Sequence, residues 1–184
     1  MLFNRSRKLF CLTFIFFLMT ACSSENMGEA IREVESTDLS NENIDGIKAG
    51  MSINDKSFRT EHGNFEPLPD NEQYATQRNY DQYWNKGIIM SVDRETKEIL
   101  QVGVMENNDI SSSSMGIKKG SPFEEVITTY GENYFIYEDK EQAINIIGYV
   151  DHQNNLKLSF VYFDDKVTAI NIGYAFDRMK WEKK

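Results

Sequence analysis

Few side chains in this sequence could carry catalytic chemistry, and their spacing forms no recognised site. The two histidines, His62 and His152, fall at a predicted helix end and in a predicted hairpin turn. The zinc-binding spacings H-x-x-x-H, C-x-x-C and H-E-x-x-H do not occur, nor does a G-x-S-x-G motif or a phosphate-binding loop. We therefore predict no catalytic residue, no metal site and no cofactor, and we expect that the protein is not an enzyme.

The one thiol that the sequence places in a reactive context is Cys22. Three basic residues lie within the first eight positions, and a thirteen-residue apolar run follows at 9–21. The run ends on the small residues Thr20 and Ala21. This order is typical of a secretory signal. The run is also shorter than the roughly 20 residues that a membrane-spanning helix needs.

The segment Met19-Thr20-Ala21-Cys22 resembles the lipobox of bacterial lipoproteins, although Met19 stands where Leu, Val or Ile is usual. The resemblance implies that Cys22 receives a diacylglyceryl group and that the signal peptide at 1–21 is removed. Two acyl chains hold a protein stably at a membrane. The implied location is the extracytoplasmic face of the cell membrane, or the outer membrane of a Gram-negative source. The alternative is an ordinary signal peptide followed by an incidental cysteine.

The charge balance excludes some partners. The chain has 184 residues and a net charge of −9, and removal of 1–21, with three cations and no acid, leaves −12. Such an acidic body does not attract nucleic acid and is repelled by anionic lipid. The acyl chains must therefore hold it at the membrane. Asn, Lys and Ile are frequent, which favours a low-GC Gram-positive source, where the anchor lies in the cell membrane.

The segment that follows the cysteine is rich in Ser, Asn and Glu and poor in large apolar residues. We interpret 22–45 as a flexible acidic tether. As a coil it would span about 25 Å and lift the folded body clear of the lipid headgroups. A short helix near 28–34 is the alternative for part of it.

From Gly46 onward the sequence contains a repeat. The pattern G-I-K-x-G occurs at 46–50 and again at 116–120, and each copy leads into a predicted helix that ends at a glycine, Gly63 or Gly131. The predicted fold class is α+β, with two similar modules, each a helix packed on a three- to four-stranded antiparallel meander. The modules are 46–106 and 115–176, joined by a linker at 107–114 and followed by a charged, fraying tail at 177–184.

Local signals place the elements within each module. In the second, Ser121 is the expected N-cap and Pro122 the first helical residue. Strands are expected at 143–150, 156–163 and 167–174, where apolar and polar residues alternate. In the first, we expect a helix at 52–62 and strands at 74–80, 87–92 and 98–105.

The pattern at 116–131, followed by a meander, resembles the helix-then-meander module of small envelope proteins, namely the SmpA/OmlA type of lipoprotein and the β-lactamase-inhibitor-protein fold. The resemblance implies a concave sheet that binds a protein partner without catalysis. Tyrosine and tryptophan are enriched at interface hot spots, although they also build sheet cores. The candidate interface residues are Tyr80, Trp84, Tyr149 and Tyr162.

The sequence therefore predicts a lipid-anchored, non-catalytic protein-binding module of the cell envelope, with envelope stress response as one possible setting. It does not identify the partner. The alternative is a lipoprotein that binds a small ligand, or a weak envelope hydrolase, with a pocket between the two modules.

Overall fold

The computed structural model describes residues 27–105 and 107–181. Its helices are α1 (Met27–Glu33), α2 (Lys56–His62) and α3 (Phe123–Tyr130), with a short 3-10 helix at Pro69–Asn71. The strands are β1 (Glu66–Pro67), β2 (Tyr80–Asn85), β3 (Ile88–Asp93), β4 (Ile99–Val104), β5 (Phe135–Asp139), β6 (Ile144–Asp151), β7 (Leu156–Phe163) and β8 (Lys166–Tyr174). They form one antiparallel sheet in the order β1-β2-β3-β4-β8-β7-β6-β5.

This sheet corrects the predicted fold class. The two meanders exist, but β4 and β8 pair edge to edge, with Val102 opposite Ile172. One core cluster contains residues of both halves, from Ile47 and Phe58 to Ile170. The prediction of two separate helix-plus-meander modules is therefore wrong. The repeat in the sequence predicts the helices and strands of each half, but it does not show which strands pair between the halves. Two open edge strands satisfy their backbone hydrogen bonds by pairing with each other.

Glycines allow the close approach of β4 and β8. A Cβ atom on Gly173 would lie 2.7 Å from the carbonyl oxygen of Leu100 and 2.9 Å from Cα of Gln101. Both neighbours are backbone atoms, which cannot move aside as a side chain can. The seam between the two halves thus depends on a glycine at this position.

The first face of the sheet carries the main core. Phe58 of α2 and Val126 of α3 are buried against it, and so are Ile47 and Ile117, the matching isoleucines of the two G-I-K-x-G segments. The glycines of both segments have φ between 84° and 90°, a region that glycine adopts at little cost. The repeated glycines therefore set the same backbone turn twice.

The helices end where the sequence predicted but begin later. The N–H of Gly63 donates to Arg59 O and that of Gly131 donates to Ile127 O, which confirms both ends. The first of these two helices begins at Lys56 and not at residue 52, because 52–55 form turns. In α3 the N-cap is Pro122 and not Ser121, a shift of one residue.

Part of the predicted tether is folded. Helix α1 lies on the second face of the sheet, where Ile31 is buried with Phe135 and Val150. Leu39 and Ile44 are buried in the main core. The tether prediction is therefore wrong for 27–45, because three well-spaced apolar side chains fix a segment whose average composition is polar.

The predicted linker and tail also pack against the body. Ser111 and Ser113 are buried within the segment predicted as a linker at 107–114. In the predicted fraying tail, Arg178 forms an ion pair with Glu98 at 2.5 Å, and Trp181 pairs with Arg78 through a β-bridge. These contacts order the described part of the tail, up to residue 181.

Most of the strand predictions are confirmed, and those at 87–92 and 98–105 correspond to β3 and β4 to within one residue at each end. The strand at 156–163 is confirmed as β7, and β6 and β8 agree with prediction to within one residue at each end. The strand predicted at 74–80 is wrong: turns occupy most of it, and β2 begins at Tyr80. Strand β5 was not predicted, since FIYED is short and carries two acids.

Candidate binding surface

The second face of the sheet is half covered and half open. Helix α1 packs over β5 and β6 with Ala175 and Phe176. Over the second-face side chains of β2, β3, β4 and β8, no described helix packs. We call this surface, together with Lys157 and Ser159 of the neighbouring β7, the open half. Because side chains alternate between faces, the strand register shows which residues it presents.

Two rows of side chains cross the open half from β2 to β7. The first row consists of directly paired residues, each opposite the next: Gln82, Ser91, Gln101, Gly173 and Lys157. The second row, one step along the strands, consists of Trp84, Ile89, Gly103, Asn171 and Ser159. Each row spans about 19 Å at the usual strand spacing. Trp84 is the exposed side chain of the two rows; the amides, Ile89 and Lys157 are partly buried, and the hydroxyls of Ser91 and Ser159 are buried, at 5 % exposure each.

Lys157 is the one cation in these rows, and the described residues give it no partner. It lies between Gly173 and Val150 in the row, at the border of the half that α1 covers. It is partly buried, and its ammonium makes no hydrogen bond or ion pair within residues 27–105 and 107–181. Burial lowers the pKa of Lys157, because desolvation disfavours the charged form. A partner carboxylate at this position would restore the favourable environment for the charge.

Trp84 stands at the other end of the open half. It is 42 % exposed and lies opposite Ile89, beside the two-residue edge strand β1. An exposed tryptophan on a sheet is the kind of side chain that anchors a protein partner. Tyr80, on the same face, is covered by the Arg78 guanidinium at 5.2 Å from its ring centre.

Arg78 closes this end of the sheet. Its guanidinium also lies over the rings of Tyr74 and Trp181, at 5.0 and 5.8 Å, and Nη2 donates to Asn71 Oδ1 at 2.8 Å. Its buried Nε has no hydrogen-bond partner in the described part of the chain. The cluster joins the tail to the start of β2, which fixes the boundary of the open half.

The other two candidate interface residues lie on the first face. Tyr149 is fully buried and donates its hydroxyl to Gly131 O at 3.1 Å, and burial raises its pKa. Tyr162 packs on Phe123 of α3, with ring centres 4.6 Å apart. The structure therefore separates the four candidates: Tyr80 and Trp84 share one face, and the other pair lies behind the sheet.

A small depression lies at the seam between the two halves. Its volume is about 90 Å³, and Ser91, Gln101, Gly103 and Asn171 line it with Gln82 and Ile89. Pockets for small organic ligands usually measure about 300 Å³ or more. The depression has room for about three water molecules, so the sequence-based alternative of a ligand pocket between the halves has little space here.

A larger groove of about 380 Å³ lies beside α2. Phe58, Phe65 and Tyr83 supply apolar walls, and two cations, Arg59 and Lys97, line it against one carboxylate, Glu66. The Arg59 guanidinium is held by backbone carbonyls, with Nε 3.1 Å from Ile53 O and Nη2 3.1 Å from Asn54 O. The groove can take an apolar group that carries a negative charge.

A buried polar network links segments that are distant in the sequence. The Tyr130 hydroxyl lies 2.9 Å from Glu42 Oε2 and 2.8 Å from Ser113 Oγ, and Ser111 Oγ donates to Asp45 Oδ2 at 2.5 Å. Burial, together with the Glu42 carboxylate, raises the pKa of Tyr130. Sequence reasoning missed this network, because no local pattern relates residues more than sixty positions apart. Glu42, Ser111 and Ser113 are buried and Asp45 is exposed, and the hydrogen bonds among these groups stabilise the loops.

The histidines make structural contacts. His62 packs against Phe58, with ring centres 4.9 Å apart, and His152 Nε2 lies 2.8 Å from Val34 O at the end of α1. In 27–105 and 107–181, no group of three His, Cys, Asp or Glu side chains is placed to bind a metal ion. Nor does this part of the chain hold a helix long and apolar enough to cross a membrane. The lipidation candidate Cys22 and the signal at 1–21 lie outside the described residues.

Comparison with known proteins adds little. No family model matches the chain, and no curated protein matches it. A cysteine-rich secretory protein from Staphylococcus aureus has a similar solved structure, with 14 % identity and a TM-score of 0.39. The match covers 68 % of this chain and 43 % of that one, so the chain spans less than half of that protein. A similarity this low carries no conclusion about fold or function.

Proposed function

We propose that this protein is a non-catalytic binding module, held at the extracytoplasmic face of a membrane by lipid on Cys22, that binds a protein partner on the open half of its sheet. The observation that carries the proposal is the pair of rows on this surface. One row begins at the exposed Trp84, and the other ends at Lys157, which has no hydrogen-bond or ion-pair partner among the described residues.

The chemistry of the rows indicates what the partner presents. Amide side chains such as Gln82, Gln101 and Asn171 both donate and accept hydrogen bonds, which suits the polar groups of a polypeptide. Lys157 requires a carboxylate from the partner, and Trp84 requires an apolar or aromatic group. Electrostatic complementarity of this kind gives specificity, so an acidic segment with an apolar side chain fits best.

Photo-crosslinking in intact membranes tests the proposal. A photoreactive phenylalanine analogue at position 84 should crosslink one partner, identified by mass spectrometry. The matched control is the same analogue at Ile110, which is 87 % exposed and lies outside the open half. A second variant, Lys157→Glu, should abolish the crosslink at position 84, because it opposes the partner's carboxylate.

Three results would contradict the proposal. Equal crosslinking from positions 84 and 110 would show non-specific contact. Crosslinking at 84 that survives Lys157→Glu would remove the charge complementarity. Recovery of the protein in the soluble fraction, with an unmodified Cys22 thiol by mass spectrometry, would remove the lipid anchor.

The groove beside α2 favours a second candidate function, the binding of a small amphipathic anion. The groove combines apolar walls with Arg59 and Lys97 and has a volume in the range of ligand pockets. Nuclear magnetic resonance titration with phenylacetate should shift the amide signals of α2, and Arg59→Gln should abolish the shifts. Unchanged spectra at millimolar phenylacetate would reject this function for that ligand class.

A further inference from the structure

The docking of α1 restricts how far the folded body can lie from its anchor. Five residue steps separate Cys22 from Met27, where α1 begins. A fully extended chain of this length reaches about 18 Å at most. A lipid at Cys22 would therefore hold the start of α1 within that distance of the headgroups. The inference that follows rests on the lipid anchor of the proposed function.

The amino end of α1 lies toward one end of the sheet. Its carboxyl end is at the end of β6, where Val34 O contacts His152 and Ser36 pairs with Val150. The helix is about 10 Å long and contacts β5, which runs from Phe135, opposite Gly148, to Asp139, opposite Ile144. Met27 thus lies toward the end of the sheet where β6 begins and β7 ends.

At this end the second face presents an apolar patch. Ile146 pairs with Val161, and Phe163, two residues further on β7, points to the same face as Val161. Ile144 occupies the matching position on β6. Phe163 is 57 % exposed at the tip of the β7–β8 hairpin, and the described residues leave its ring uncovered. We call Ile144, Val161 and Phe163 the hairpin patch, and Ile146 lies at its border, packed in the cluster under α1.

We propose that the hairpin patch rests on the neutral headgroup region of the membrane, with the Phe163 ring inserted into it. The position of the patch near the end of the short anchor brings it to the lipid. Large apolar side chains at such a tip gain by leaving water. The adjoining turns carry more acids than bases, with Asp164 and Asp165 at the tip, so zwitterionic lipid fits better than anionic lipid.

The proposal determines the orientation of the sheet. With the hairpin patch down, the strands stand upright and the β6–β7 turn lies about 26 Å above it, the length of an eight-residue strand. The open half then faces sideways along the membrane. The partner-binding surface of the proposed function stays accessible in this orientation.

Depth-dependent fluorescence quenching tests the orientation. The lipidated full-length protein is incorporated into phosphatidylcholine vesicles that contain lipid with a nitroxide near the headgroup. A single cysteine at Phe163→Cys carries an environment-sensitive dye, and the matched control is Gln153→Cys, exposed in the turn at the opposite end of the same strands. Since removal of 1–21 takes away Cys11 and a lipidated Cys22 has no free thiol, each variant has one labelled position.

We expect a blue shift and a loss of emission for the dye at position 163, and neither for the dye at position 153. Because Ile31 fixes α1 to the sheet, adding Ile31→Ala should lessen the quenching at 163. Vesicle flotation distinguishes a failure of the lipid anchor from a failure of the proposed orientation. Protein that floats but shows equal quenching at both positions overturns the orientation alone, while protein that does not float overturns the anchor and the orientation together.

Discussion

Replacing Ile31 with Ala should release α1 from the sheet without unfolding the body. Ile31 is the one buried side chain of this seven-residue helix. A helix this short is not stable alone, so α1 persists because it is docked. Truncation of a buried isoleucine to alanine costs about 2–4 kcal/mol. This loss is comparable with the whole free energy of docking, which comes from one buried and three partly buried apolar side chains.

The expected change is a large increase in the undocked population. A loss of about 2–4 kcal/mol raises that fraction by about 30-fold to about 900-fold, until the undocked form predominates. Trypsin cleavage after Arg32 measures it, because Arg32 lies on α1 with its guanidinium over the ring of Phe176 at 5.2 Å. Mass spectrometry of short digests should show faster cleavage at this bond only.

Two controls define the result. Glu29→Ala changes an exposed position of the same helix and should leave the cleavage rate at Arg32 unchanged. Ile172→Ala, in the main core, should lower the thermal midpoint of the whole body, whereas Ile31→Ala should leave it nearly unchanged. The reasoning fails if Ile31→Ala does not accelerate cleavage, or if it lowers the midpoint as much as Ile172→Ala does.

Three further outcomes follow from the structure. Gly173→Ala should lower the free energy of unfolding in urea by about 1–3 kcal/mol, because the added Cβ meets backbone atoms. The control Gly103→Ala places its Cβ mainly against a movable side-chain amide and should cost less. Equal losses of stability in the two variants would contradict this reasoning. Burial opposes ionisation of Asp151, but hydrogen bonds from Asn154 and the Leu39 N–H outweigh it and lower the pKa. Its stabilisation is present above the unfolded value of about 3.9 and lost as the pH falls through the lower folded value; thermal midpoints from pH 5 to pH 2 should show a steeper loss than in Asp151→Asn. Lys157→Met should raise the midpoint at pH 7, and the difference should shrink as the pH rises past about 10.4, where the unfolded lysine also loses its charge. A lower midpoint at pH 7 would show that the charge has a partner.

The elements that the sequence predicted well are those with strong local signals. Leu158 and Phe160 alternate with polar neighbours in β7, and the turn residues Asp164 and Asp165, both with positive φ, end the strand. Strand β5 lacks such signals, and helix α1 was indicated only as the alternative to a tether near 28–34. Each is short and carries acids, and each is stabilised by contacts with distant residues, such as Phe135 over Gly148.

The alternation of side chains along each strand determines which face of the sheet each candidate interface residue lies on. Tyr162 lies at the same parity as Leu158 and Phe160, so the alternation in β7 already indicates that it points into the core. Lys157 and Ser159 have the opposite parity and belong to the open half. Their place in a continuous surface becomes clear only from the pairing of β4 with β8, which aligns Lys157 with Gln101 and Ser159 with Asn171. No local pattern contains that pairing.

The folding of 27–45 onto the sheet changes what an anchor at Cys22 would do. A free coil of this length would let the body sample many orientations, whereas docked α1 leaves about five residues of slack. On our proposal, docking therefore selects the upright orientation, in which the open half meets partners near the membrane surface. Release of α1 would free the chain from Cys22 to Ser36, because Ser36, which pairs with Val150, is the next residue that holds the chain to the sheet. A coil of that length spans about 20 Å, so Ile31→Ala should let the open half reach partners farther from the membrane.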